Sequence, residues 1–140
     1  MSTFYEHILV AMDFSEQALK SFDRALNVAV QHEATLHVVS VVNTHSNAAV
    51  AAFDESYAKQ LYNEYEKKLV DLKQQALQFG VKDVVTTVEY GSPKNILLHY
   101  TPAQLIIIGA TGLNAVERLV LGSVSTAVLR HAKCDVLITR

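Results

Sequence analysis

Near the carboxyl end of the chain runs GATGLNAVERLVLGSVS, Gly109 to Ser125, which holds three of the protein's five glycines. Their spacing is G-x-x-G-x(9)-G-S, carried by Gly109, Gly112, Gly122 and Ser123. Glycine permits positive φ and lets the backbone approach a ligand with no Cβ in the way. A Gly-Ser pair opening a helix adds unpaired N–H groups and the positive end of the helix dipole, both of which favour an anion. With the hydroxyls of Ser123 and Ser125 as further donors, this set of parts would hold phosphates. The pattern is not G-x-x-x-x-G-K-[ST], since no lysine precedes Ser123. Nor is it G-x-G-x-x-G, whose place after the first strand is taken by MDFSEQ.

A second candidate is Asp13, the carboxylate that ends the apolar run HILVAMD. It reads either as a helix N-cap, with Glu16 three residues on completing something like a capping box, or as a ligand contact at a strand end. The six histidines, His7, His32, His37, His45, His99 and His131, show no metal-ligand spacing. Cys134 opens an apolar run and reads as a small buried side chain.

These residues need elements to position them. HILVAMD (7–13) and ATLHVVSVV (34–42) read as strands buried on both faces. Between them Ala18, Leu19, Phe22, Ala25, Leu26, Ala29 and Val30 recur at helical spacing. The segment 43–56 reads as an exposed loop leading into a helix. That helix runs over 57–79, where Tyr57, Leu61, Tyr65, Leu69, Leu72, Ala76 and Phe79 keep the period and Gly80 stands at the C-cap. DVVTTVEY (83–90) is a third strand. A short helix follows, with Ser92 able to cap, Pro93 at its first position and Pro102 ending it. QLIIIG, then VSTAVLRHA, then CDVLIT give a fourth strand, a helix and a fifth strand.

Strands alternating with helices, each strand a continuous apolar run, predict an α/β fold: an open, doubly wound, five-stranded parallel sheet of Rossmann-like type. The 140 residues fit a single domain, 1–140. A net charge of −2 offers no basic field for nucleic acid, and the apolar runs are too short to cross a bilayer. One cysteine and no signal-peptide pattern point to a cytoplasmic location. No base–nucleophile pair or paired carboxylates can be assigned, so an efficient enzyme is not predicted. The apolar strand at the end of the sequence invites pairing with another chain.

The glycine spacing, together with ILVAMDFSEQALKSFDRAL, GSPKNIL and the segment from Leu105 to Arg140, resembles the universal stress protein family in its ATP-binding branch. The resemblance covers essentially the whole chain. It implies a sheet of the adenine nucleotide alpha-hydrolase-like type and a small regulatory module that binds ATP, with magnesium, and hydrolyses it slowly at most. The alternative within the family is an interaction module that binds no nucleotide. By position, the phosphate and ribose site falls on Gly109, Gly112, Gly122 and Ser123, with Val124 and Ser125 beside them. Asp13 takes the place of the aspartate that contacts the adenosine end, flanked by Ala11, Met12 and Ser15, and Val41 gives backbone contacts to adenine. A homodimer through the last strand, at Val136 and Ile138, is also implied. Three positions depart from the family's commoner pattern: Thr111 stands where histidine or arginine is frequent, Ser40 where histidine is, and Asp135 where proline is. The adenylating enzymes of the wider superfamily would carry an S-G-G-x-D-S loop or an H-I-G-H signature, and DFSEQA is neither.

Overall fold

The computed structural model describes residues 4–44, 55–112 and 121–140. Much of the segment read as a loop, and all but the last residue of the nine-residue glycine spacer, lie outside the described residues. In chain order the elements are β1 (His7–Ala11), α1 (Glu16–His32), β2 (Thr35–Asn43), α2 (Glu55–Phe79), β3 (Asp83–Gly91), α3 (Pro93–Leu98), β4 (Leu105–Gly109), α4 (Ser123–His131) and β5 (Asp135–Thr139). The five strands form one parallel sheet in the order β3-β2-β1-β4-β5. This is the predicted open α/β fold.

Alternation along the strands divides the core in two. Ile8, Val10 and Met12 face one side of the sheet, where Phe22, Ala25 and Ala29 of α1 and Leu69, Leu72 and Ala76 of α2 cover them. Leu9 faces the other with Val39, Ile106 and Ile108, under Leu97 of α3 and Val128 of α4. Burial on both faces is why these strands read as unbroken apolar runs. Some periodic residues stay outside the core: Leu19 and Val30 of α1 and Tyr57 and Phe79 of α2 are exposed, because each sits at the margin of its helix's apolar stripe.

Local chemistry sets the helix ends. Ser15, not Asp13, is the N-cap of α1, and its hydroxyl accepts the amide of Ala18 at 3.1 Å. Gly80, with φ of 119°, closes α2: its amide reaches the Leu77 carbonyl at 3.2 Å and Val81 that of Ala76 at 3.1 Å. Ser92 occupies the N-cap position of α3 without a side-chain bond, and this helix ends at Leu98 with His99 as its cap, well before Pro102. Proline therefore follows the helix and does not terminate it.

At the opposite end of the sheet from the strand carboxyl termini, two histidines meet. His7 Nδ1 lies 3.0 Å from His37 Nε2, and His37 Nδ1 lies 2.8 Å from the hydroxyl of Tyr100. Parallel register, with Leu9 opposite His37, puts both rings on one face of the sheet. Burial, then the charge of His7, lowers the pKa of His37, while Asp83 opposes them.

Candidate functional site

The strand order contains one place where the chain's connections part. From β1 the chain runs into α1 on one face of the sheet, and from β4 it runs to α4 on the other, while β1 and β4 are neighbours. A crevice forms outside the carboxyl ends of adjacent strands whose loops diverge in this way, and it is where open α/β sheets bind ligands.

A cavity of about 420 Å³ sits there, a size suited to a small-molecule ligand. The end of β1 contributes Ala11, Met12 and Asp13, and β2 contributes Val41. Gly109, Gly112 and the run Gly122 to Ser125 form its β4–α4 side. Ser15 is the one residue of the sequence-derived set that does not border it. The reason is the cap described above: Ser15 is buried with its hydroxyl turned to the start of α1.

Each part has a local cause. Met12 is tied to β2 from both directions, its amide to the Val39 carbonyl at 2.8 Å and its carbonyl to the buried Ser40 hydroxyl at 2.7 Å. Asp13 follows, and its Oδ1 accepts the amide of Ser15 at 2.9 Å. Phe14 then turns the chain with a φ of 64°, a left-handed conformation uncommon for a large side chain. Such outliers gather at functional sites.

On the β4 side the glycines work by close approach. Positive φ among the described glycines falls at Gly80 and Gly91, and none of Gly109, Gly112 and Gly122 has it. A Cβ on Gly112 would stand 2.6 Å from Asp13 Oδ2, and one on Gly109 would stand 3.1 Å from the Cβ of Gln17 in α1. Gly112 therefore makes room for the carboxylate, and Gly109 for a helix. At Gly122 a Cβ would meet only ordinary contacts, the nearest at 3.5 Å.

Two of the expected donors are already engaged. The Gly122 amide donates to the Ala110 carbonyl at 2.6 Å, and the Ser125 hydroxyl donates to the same oxygen at 2.8 Å. These bonds fold the bend onto the end of β4. The backbone amides of Ser123, Val124 and Ser125, in the first turn of α4, have no intrahelical acceptor and border the cavity.

The other wall was not legible as a site. Asn43 ends β2, Leu61 and Tyr65 come from α2, and Pro93 and Leu97 from α3. Helical periodicity had marked Leu61 and Tyr65 only as core. Tyr65 is 7% exposed and its ring lies 5.2 Å from that of Phe14. Burial, then the charge of Asp13, raises its pKa, so the phenol keeps its proton. Among the described residues lining the cavity, Asp13 is the only carboxylate, and no lysine, arginine or histidine lines it. No cluster of metal-binding side chains occurs among the described residues. Cys134 lies apart, its thiol pKa raised by burial and then by Asp135.

The sequence model described as the universal stress protein family matches residues 4–140. The chain belongs to that family. A universal stress protein of Staphylococcus aureus (strain USA300) is 41% identical over 140 residues, covering 97% of this chain and 84% of the relative. Among solved structures, universal stress protein UspA from Lactobacillus plantarum superposes with a TM-score of 0.89 at 28% identity, covering 99% of this chain and all of that one. A universal stress protein solved in complex with cAMP gives a TM-score of 0.69 at 26% identity, with 99% and 98% of the two chains covered. No helix among the described residues is long and apolar enough to cross a membrane.

Proposed function

We propose that this universal stress protein is a small regulatory module that binds an adenine nucleotide, ATP with magnesium, in the cavity between β1 and β4. The observation that carries the reading is the cavity itself, placed at the divergence of the β1 and β4 loops and floored by the glycine bend. The complex of a structurally similar family member with cAMP supports a nucleotide as the class of ligand.

Electrostatics orients the ligand. Asp13 is a carboxylate at the β1 side, and a polyphosphate is repelled by it. The three free amides and the dipole at the start of α4 attract an anion on the β4 side. The phosphates therefore lie against Ser123, Val124 and Ser125 with Gly122 beneath, the ribose lies over Gly109 and over Gly112 beside the Asp13 carboxylate, and the base lies towards Ala11, Met12 and Val41. The donor set fits this group, since backbone amides grip phosphate without a lysine. Magnesium, when bound with ATP, would screen the charge that Thr111 cannot. Among the described lining residues there is no base paired with a nucleophile, so hydrolysis is at most slow.

The module acts as one domain of 1–140 in the cytoplasm, and as a homodimer. β5 is an edge strand, its outer backbone groups unpaired by any other strand of the sheet, and Val136 and Ile138 are only partly buried. Two copies pairing along β5 would form a two-fold interface.

The test is to purify the protein, denature it, and identify any released nucleotide by chromatography and mass. Calorimetric titration with ATP and magnesium follows. Released adenine nucleotide, or saturable binding of one ATP per chain, is expected. Neither release nor binding would leave the family's nucleotide-free interaction module as the reading.

A further inference from the structure

The helix α2 contributes to the cavity through two residues one turn apart, Leu61 and Tyr65, and neither belongs to the glycine pattern. Their position is specific. They pack with Val42, at the end of β2, and with Phe14 in a small cluster of their own, on the β2 side of β1 and away from α4. That is the end of the cavity that Val41, Asn43 and Asp13 share.

Tyr65 is held there firmly. Phe14, turned by its left-handed backbone, lies 5.2 Å from it at a tilt of 40°. The ammonium of Lys68 sits 5.1 Å above the Phe14 ring and 3.2 Å from Glu64. A buried aromatic with a polar tip brings its hydroxyl to a hydrogen-bond partner, and an apolar core would be served as well by phenylalanine or leucine.

We infer that Tyr65, with Leu61 one turn before it, contacts the nucleoside of the bound nucleotide, an assignment that rests on the nucleotide reading above. The ring forms an apolar wall for the nucleoside, and the hydroxyl, in the cavity that Asp13 also lines and close enough to feel its charge, hydrogen-bonds it. The raised pKa keeps that hydroxyl a donor throughout the neutral range. Asp13 and Tyr65 then form a joint acceptor–donor edge at the nucleoside end, contributed by β1 and α2.

The experiment compares wild type, Tyr65→Phe and Tyr65→Leu for binding of adenosine, AMP and ATP with magnesium by calorimetry, with melting temperatures in parallel. Removing one ligand hydrogen bond weakens binding by roughly 5- to 30-fold. Because Tyr65 touches the part common to all three ligands, Tyr65→Phe lowers all three affinities by the same factor, and Tyr65→Leu lowers them further. A purely structural role moves the melting temperature without that uniform factor. In the wild-type protein, nuclear Overhauser effects between the adenosine protons and the Tyr65 ring give a readout that no substitution can confuse. Tyr65→Phe binding all three ligands within about twofold of wild type, with no such effects to the ring, overturns the assignment of Tyr65. A loss confined to ATP also overturns it, since that places Tyr65 at the phosphates. Wild-type protein that binds none of the three ligands overturns the nucleotide reading itself, and this assignment with it.

Discussion

Substituting Gly112 by alanine tests the construction of the site most directly, because the obstacle is a single side chain. The new Cβ would stand 2.6 Å from Asp13 Oδ2 and 3.8 Å from its Cγ. Non-bonded heavy atoms are most stable at roughly 3.5–4.0 Å, so the carboxylate must retreat by roughly 1 Å. Its other oxygen is bound to the Ser15 amide at 2.9 Å, at the residue that caps α1, and a shift of that size breaks the bond. Asp13 is half-buried, which puts the cost in the lower part of the range for bonds to charged groups, about 1–2 kcal/mol. For a chain of this size that corresponds to a fall in melting temperature of about 2–8 °C. The decisive assay is a double-mutant cycle by urea denaturation. Asp13→Ala removes the obstructing carboxylate, so Gly112→Ala made in that background costs less than about 0.5 kcal/mol and the two changes couple by about 1–2 kcal/mol. Gly122→Ala, whose Cβ meets nothing closer than 3.5 Å, is the control for added bulk and costs only glycine's advantage over alanine at the N-cap of α4, less than about 1 kcal/mol. Additive costs for Asp13→Ala and Gly112→Ala, or a Gly122→Ala loss as large as that of Gly112→Ala, would refute the close-approach explanation.

Three further outcomes follow from other parts of the molecule. Since burial and His7 lower the pKa of His37, the unfolded chain takes up a proton that the native protein does not. That contribution to stability is complete above about pH 6.5 and is lost as pH falls below it, and urea melts should show a slope that flattens in His37→Asn. Ser40 is fully buried and holds the Met12 carbonyl at 2.7 Å, so Ser40→Ala leaves that oxygen short of a donor and should cost about 1–2 kcal/mol by the same melts. Val136→Lys or Ile138→Glu places a charge on the β5 edge, and light scattering should report monomers or insoluble protein. An unchanged dimer would reject that surface.

The parts of this fold that the sequence makes readable are those whose cause is local. Continuous apolar runs such as Leu105 to Ile108 reflect burial on both faces, and helical periodicity marks α1 and α2 because each meets the sheet along one stripe. Ambiguity clusters where partners are distant in sequence. Asp13 reads either as a cap, with Glu16 three residues on, or as a ligand contact at a strand end; the cap is Ser15, and what stands beside Asp13 is Gly112, almost a hundred residues away. The glycines were legible as a pattern but not in their mechanism: spacing cannot separate positive φ from close approach, and only the neighbouring strands and α1 decide it. Tyr65 was visible only as a core residue, since a helical stripe does not record that its last exposed edge borders a cavity opened by three other elements. His7 and His37 are thirty residues apart, and the parallel register of β1 with β2 is what brings them together. A sequence thus reveals the layers of such a sheet readily, while the chemistry of its crevice depends on loops from β1 and β4 that meet only because the strand order reverses between them.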